Sequence, residues 1–366
     1  MSLHVNIGGA YKKIESVWCN IGGAWKKASA IKVNVGGVWK DGGLDKLLSY
    51  YGTITSLGEA RTTLGGGSNG LYAAFGGGTR ASDGADSSYV DAYSASLVRT
   101  SPGTLWRGRK HVTGGDGEQH VFFAGGAYKT GGVTTVEVVD KNLTISSAAA
   151  LSDAKVDIAS ANVPGYTLFA GGQRFAYQTY YASVDAYNTS LVKTVCTNLA
   201  LGASDVGGAS LNGYALFGGG AYTSSSYTAL VRAYNSSLVQ TSLSSLQVAT
   251  RSRGASNGSY AIFSGSTYTA YNSSLVRVTC PAPSVAGTES SLSMQGHALF
   301  LNGNTRSGRV VESYNTSLVR SAYEVGVIPR DSVAVASIGD YGLFAGGQVG
   351  AGTSTAVDTV NAFVLA

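Results

Sequence analysis

Seven times along the chain a short apolar run ends in phenylalanine and breaks into a glycine-rich turn. The runs read LYAAFGGG (71–78), HVFFAGGA (120–127), YTLFAGGQ (166–173), YALFGGGA (214–221), YAIFSGST (260–267), HALFLNGN (297–304) and YGLFAGGQ (341–348). Their phenylalanines are Phe75, Phe123, Phe169, Phe217, Phe263, Phe300 and Phe344, spaced 48, 46, 48, 46, 37 and 44 residues apart. A unit of that length repeated seven times predicts the blades of a propeller. A second anchor follows each run, as in VDAYSASLVRT (90–100), VDAYNTSLVKT (184–194) and VRAYNSSLVQT (231–241). Apolar and polar residues alternate within it, and turn formers such as Asn-Thr-Ser sit at its centre, so it predicts two strands joined by a tight hairpin. Asn212-Gly213 and Asn257-Gly258 join the first two strands of their units, and Asn-Gly is a strong hairpin signal. Each unit therefore parses as four antiparallel strands, the first following Arg61, Arg109, Arg253 or Arg330.

The ends of the chain test this parsing. The last unit stops at Ala366 without a fourth strand, whereas a strand-like segment near 50–57 precedes the first complete unit. That segment is expected to complete blade seven and close the ring, which removes free sheet edges. The fold class is thus all-β, a seven-bladed propeller of four-stranded antiparallel blades over 47–366. The chain resembles the kelch class of propellers, through the di-glycine after an apolar strand and the tyrosine of the third strand. The fourth-strand tryptophan of typical kelch repeats is absent. The resemblance implies the fold and no particular activity.

Residues 1–40 carry a different, 14-residue repeat: VNIGGAYKK (5–13), CNIGGAWKK (19–27) and VNVGGVWK (33–40). Each copy is long enough for one small hairpin turning at Gly-Gly. Residues 41–46 form a linker to the propeller. The leader holds six lysines and one acid, leaving 20 of the 26 basic and 20 of the 21 acidic residues to the rest of the chain. The whole formal charge of +5 thus belongs to the leader. Basic charge with aromatics can signal nucleic acid, but small hairpins place lysines in solvent and their aromatics against a partner. The segment is too short to bury much core alone, so it is expected to attach to a partner or self-associate. Tyr11, Trp18, Trp25, Lys26, Trp39 and Lys40 are the attachment candidates. These repeats resemble segments of tail and other structural proteins of bacteriophages and prophages. That resemblance implies a virion protein, made in a bacterial cytoplasm and exposed outside, contacting other virion proteins through residues 1–40 and forming homo-oligomers within an assembly.

Several chemistries find little material. No apolar run approaches 20 residues, so no membrane insertion is expected, and the N-terminus lacks the pattern of a secretory signal. Cys19, Cys196 and Cys280 are odd in number and unrelated in spacing, which predicts small buried hydrophobes. His4, His111, His120 and His297 form no ligand pair in sequence, and His120 and His297 are equivalent repeat positions. No metal, no cofactor and no nucleic-acid partner is expected. Paired carboxylates among Asp153, Asp157, Asp205 and Asp331 stay open. The Gly-rich runs lie between strands, with no helix N-terminus to hold a phosphate. Asn188, Asn235, Asn272 and Asn315 read as hairpin turns rather than glycosylation sites.

Loop length points to a binding face. The loops between second and third strands share a face with those entering first strands, and they vary, whereas the hairpins of the opposite face repeat. From the second-strand phenylalanine to the third-strand aromatic or its equivalent the distance is 18, 16, 18, 17, 8, 14 and 19 residues, so blade five has almost no loop. A notch over blade five is expected, walled by aromatic loops of blades three and four. Ligand-binding candidates are Arg174, Tyr177, Tyr180 and Tyr222, with Arg251, Arg253 and Arg330 at the channel mouth. Aromatic faces stack on sugar rings, and arginines bind hydroxyls. The preferred reading is a non-enzymatic phage or prophage appendage whose propeller binds a host-surface polysaccharide or another virion protein. A carbohydrate-active kelch-like enzyme and an intracellular protein-binding kelch scaffold are the alternatives.

Overall fold

The computed structural model describes residues 48–303, 309–323, 328–350 and 355–365, together with the strands of the leader. The chain divides into two units, one of residues 1–49 with 364–366 and one of 50–363. In the first, three antiparallel hairpins follow the 14-residue repeat: His4–Ile7 with Ala10–Lys13, Trp18–Ile21 with Ala24–Lys27, and Lys32–Val35 with Val38–Asp41. Register pairs Asn6 with Tyr11, Asn20 with Trp25 and Asn34 with Trp39, so the three are copies of one hairpin. Gly23 turns with φ +85, and its N–H donates to Asn20 Oδ1 at 3.0 Å. The 42–46 part of the linker lies outside the described residues, as do the side chains of Tyr11, Trp18, Trp25, Lys26, Trp39 and Lys40.

The second unit is a seven-bladed propeller. Blade three shows the pattern, with antiparallel strands Ala159–Val163, Tyr166–Ala170, Val184–Asn188 and Lys193–Val195. Blades one, two, four, five and six repeat it around Phe75, Phe123, Phe217, Phe263 and Phe300. Blade seven takes Ala334–Ile338, Tyr341–Ala345 and Val360–Leu365 from the end of the chain and Leu48–Ile54 from its beginning. Ring closure is fastened by side chains, since Tyr50 packs on Phe363 at 5.4 Å and Asn361 Nδ2 donates to Tyr50 Oη at 2.7 Å.

Between blades the core is built from the two sequence anchors. The second-strand phenylalanine meets the third-strand tyrosine edge-on, as in Phe169–Tyr187 (6.0 Å), Phe217–Tyr234 (5.9 Å) and Phe263–Tyr271 (5.9 Å). The tyrosine hydroxyl then donates to a carbonyl that follows the outer strand of the preceding blade: Tyr187 to Ala149, Tyr234 to Thr197, Tyr271 to Ser244. These tyrosines, with Tyr93 donating to Thr55 O, therefore tie blades one, three, four and five to their predecessors.

The di-glycine ties blades one to four and blade seven to their successors. The N–H of Gly78 donates to Arg109 O, Gly126 to Lys155 O, Gly172 to Ala203 O, Gly220 to Thr250 O and Gly347 to Arg61 O, all within 2.8–3.0 Å. Gly171 and Gly172 hold φ of +69 and +103, and a Cβ on Gly171 would lie 2.6 Å from Ala203 O. Glycine is required both by the turn and by the neighbouring blade. A further glycine position lies nearer the axis. Gly66, Gly114, Gly208 and Gly254 stand opposite the phenylalanines, and a Cβ on Gly114 would come within 2.0 Å of Gly66 O.

The third-to-fourth-strand hairpins explain the Asn-x-Ser-Leu-Val signature. Asn188 Oδ1 accepts from Ser190 N and Val192 N, and Asn235, Asn272 and Asn315 do the same in their blades. The leucine is left-handed in six blades, Leu97, Leu143, Leu191, Leu238, Leu275 and Leu318 all having φ between 57 and 63. Leucine pays for this conformation at about 1–2 kcal/mol; here its side chain packs against the inter-blade core.

Candidate functional site: the loop face of the propeller

Buried charge positions the loops of this face. Arg61, Arg109 and Arg330 each stand five residues ahead of the channel-lining position that pairs with the second-strand phenylalanine, Gly66, Gly114 or Val335. Arg61 is fully buried against Asp91, and Arg109 is buried against Glu137. Both also donate to the carbonyl of their blade's phenylalanine, at 3.4 Å to Phe75 O and 2.9 Å to Phe123 O. The carboxylates in turn accept from the backbone of the crossing loop, Gly58 N to Asp91 at 3.0 Å and Trp106 N to Glu137 at 2.6 Å. Lys155 occupies the same position in blade three, bonded to Ser183 at 2.7 Å with Asp185 nearby, and burial pulls its amine down to about 8.

Two of the arginines expected together prove to differ. Arg330 is 3% exposed and donates to Phe344 O and Asn361 Oδ1, so it is a strut of blade seven and does not line the channel mouth. Arg253 directly precedes Gly254, the channel-lining residue of blade five, and is not the repeat equivalent of Arg61. With no strut role, it turns into the channel mouth, where Nη2 meets Asp205 Oδ1 at 3.1 Å and Nε donates to Glu289 O at 3.1 Å.

Over blade five the chain passes from Phe263 to Thr269 in a short turn, and a cleft of about 570 Å³ opens there. Its described walls include Tyr227 and Arg251 from blade four and the segment joining it to blade five, Ser264–Ser266 as its floor, and Glu289 and Arg309 from blade six. Arg251 lies over the Tyr227 ring at 5.9 Å and 3.7 Å from Asp205. Arg309 is 5% exposed, pairs with Asp331 and lies 3.6 Å from Glu289; its Nε has no hydrogen-bond partner among the described residues. Three guanidinium groups and three carboxylates thus alternate around the cleft and the adjoining mouth. Such a wall offers donors and acceptors with little net field, the chemistry of hydroxyl recognition.

The other candidates stand farther along the face. Tyr177 is 59% exposed with Arg174 stacked on it at 4.4 Å, and Tyr222 is exposed; neither lines the cleft. Tyr180 is half-buried, its backbone bridged to Gln173. Tyr227, Glu289 and Arg309 form the cleft instead. Sequence signals for the last two were weak, because blade six lacks both the di-glycine of blades one to four and seven and the arginine strut of blades one, two and seven.

Three of the four open carboxylates, all but Asp153, are held by neighbouring side chains. Asp157 accepts from Gln173 Nε2 at 2.8 Å, Asp205 meets Arg253, and Asp331 meets Arg309. Among the described residues no group of three or more His, Cys, Asp or Glu is placed to hold a metal ion. His120 and His297 open the second strands of their blades, opposite Asp140 and Asn315. Cys196 and Cys280 are buried, which pushes their thiols up to about 11 and about 12. The opposite face has a hollow of about 320 Å³ between blades two and four. There the blade-two turn is tied to blade three, Glu118 Oε1 accepting from Gly165 N at 2.8 Å. No described helix is long and apolar enough to cross a membrane. The chain matches no family profile, and no curated protein is significantly similar to it.

Proposed function

We propose that this chain is a non-enzymatic structural protein of a bacteriophage or prophage particle, of the tail, fibre or baseplate kind. Its hairpin repeats attach it to other particle proteins, and its propeller is the displayed head that binds a glycan of the host surface. The particle setting rests on the resemblance of the Asn-Ile-Gly-Gly-x-Trp-Lys repeats to such proteins. The glycan reading rests on one observation above all: the opposite face repeats the same Asn-centred hairpin, whereas the loop face differs from blade to blade and opens a polar cleft beside Tyr227. A rigid ring with one invariant and one varied face suits recognition rather than turnover.

The test is retention of the full-length protein on a panel of purified bacterial surface polysaccharides, with released reducing ends measured in parallel. Retention without release is expected, weakened about ten-fold or more by Tyr227→Ala and Arg251→Ala at unchanged melting temperature. Release of oligosaccharides would establish the carbohydrate-active enzyme instead. Absence of retention on every polysaccharide would remove the glycan reading and leave a partner protein as the ligand of the loop face.

A further inference from the structure

Trp106 is the one tryptophan outside the leader, and it is 74% exposed. The fold does not ask for it. Its structural duty is the backbone N–H bond to Glu137, and at the matching place in blades one and three the N–H groups of Gly58 and Ser152 make the same bond to Asp91 and Asp185. Glycine or serine therefore serves the scaffold equally well, and the indole is left to solvent.

Its neighbours continue a pattern. The Arg107 guanidinium lies 4.7 Å from the Trp106 ring and 4.6 Å from the Tyr128 ring, and Lys129 Nζ is 5.3 Å from the same tyrosine. The backbone of Lys110 bridges to Ala127, next to Tyr128, while its Nζ lies 5.3 Å from the Phe175 ring. Beside Phe175 stands the Arg174–Tyr177 stack. Aromatic rings and cations thus alternate in a strip across the loop face of blades one to three. Asp86 lies 3.8 Å from Lys110 Nζ and accepts from the backbone N–H of Lys129 at 2.7 Å.

We propose that this strip is a docking track for an anionic polysaccharide, one carrying carboxylate or phosphate groups, whose rings stack on Trp106 and Tyr177 while Arg107, Lys129 and Arg174 meet its charges. Stacked guanidinium groups are pre-oriented, and exposed Trp, Tyr and Arg side chains are those that carry interface energy. A single-stranded nucleic acid would also use stacking and cations, but such binders spread positive charge along a whole groove. Here the chain beyond the leader is balanced, at 20 basic and 20 acidic residues, so the strip is a local feature. The proposal rests on the glycan-binding reading of the propeller and assigns a surface separate from the blade-five cleft.

The experiment is affinity electrophoresis of the full-length protein through gels containing polygalacturonate, neutral dextran or no polymer, with oligo(dT) binding measured beside it. Polygalacturonate is expected to retard the wild type, more at low salt than at high salt, and dextran not to. Trp106→Ala and Arg107→Ala should each weaken retardation about ten-fold or more with melting unchanged, and Val239→Ala, an exposed position in a hairpin of the opposite face, should leave it intact. If Tyr227→Ala abolishes retardation and the strip variants do not, the strip proposal is wrong while the cleft and the glycan reading stand. Equal retardation by dextran, or tighter binding of oligo(dT) than of polygalacturonate, would also overturn the strip. If no polymer retards the protein, the strip proposal is wrong, and retention on the panel of surface polysaccharides decides the glycan reading separately.

Discussion

Replacing Asp91 by alanine isolates the buried ion pair at the heart of blade one. The carboxylate is fully buried and accepts from Arg61, from Arg99 at 2.6 Å and from Gly58 N at 3.0 Å. Without it, the Arg61 guanidinium keeps only carbonyl partners, Gly77 O at 3.0 Å, Tyr89 O at 2.5 Å and Phe75 O at 3.4 Å. A buried cation deprived of its counter-ion costs about 3–5 kcal/mol. That is a large share of the roughly 5–15 kcal/mol that holds a typical domain.

Removing both partners should cost much less. Blade four shows why: its matching positions are Ala203 and Arg232, no buried pair forms there, and the ring still closes. Arg61→Met combined with Asp91→Ala leaves no uncompensated buried charge, since Arg99 is partly exposed to solvent, so the double variant should lie well below the sum of the singles, with a coupling of about 1–3 kcal/mol. Equilibrium urea unfolding of the wild type, both single variants and the double variant closes the cycle. An Asp91→Ala cost under about 1 kcal/mol, or full additivity, would show that the pair is not the strut described.

Three further outcomes follow from local geometry. Leu238→Ala should destabilise more than Leu238→Gly, the reverse of the usual order, because alanine keeps the left-handed cost of about 1 kcal/mol and glycine relieves it; urea midpoints decide, and the ordinary order would refute the strain. Gly114→Ala forces a Cβ to 2.0 Å from Gly66 O and should cost about 3 kcal/mol or more, while Gly131→Ala meets nothing within 4 Å and should stay within about 0.5 kcal/mol, both read by thermal melting. Lys155 is depressed from 10.5 to about 8 on folding, chiefly by burial. Its unfolded form holds the proton more tightly, so the penalty of about 3 kcal/mol is fully present below about pH 8 and fades as pH rises toward 10.5. Lys155→Met should therefore stabilise at pH 7 and remove part of the rise in stability between pH 8 and 9.5; an unchanged pH profile would count against it.

The blades were legible because their determinants are local and repeated. A phenylalanine, a di-glycine and an Asn-x-Ser-Leu-Val hairpin each recur with one spacing, and the missing fourth strand at one end matched a surplus strand at the other. The axial glycines Gly66 and Gly114 were not legible as such, since their need arises from a neighbouring blade 48 residues away, and GGG or GGD reads locally as a turn. The arginines show the same limit. Arg253 looked equivalent to Arg61 and Arg330 because each precedes a first strand, but a shift from five residues to one moves a side chain from the blade interior to the channel mouth. Loop lengths alone located the cleft over blade five, because an absent loop is a local fact. Its walls were harder, for Arg309 and Glu289 come from the blade that departs most from the repeat.

That contrast also says where recognition should be sought in a chain of this kind. A residue that recurs at a repeat position has a scaffold duty, as the third-strand tyrosines and the Arg61-type struts do. A residue whose repeat equivalents are glycine or serine, and whose backbone alone does the structural work, has none. Trp106 meets that criterion, and the short turn over blade five meets its counterpart in chain length. Both lie on the loop face, so the departures from the repeat are where the proposed recognition is to be tested.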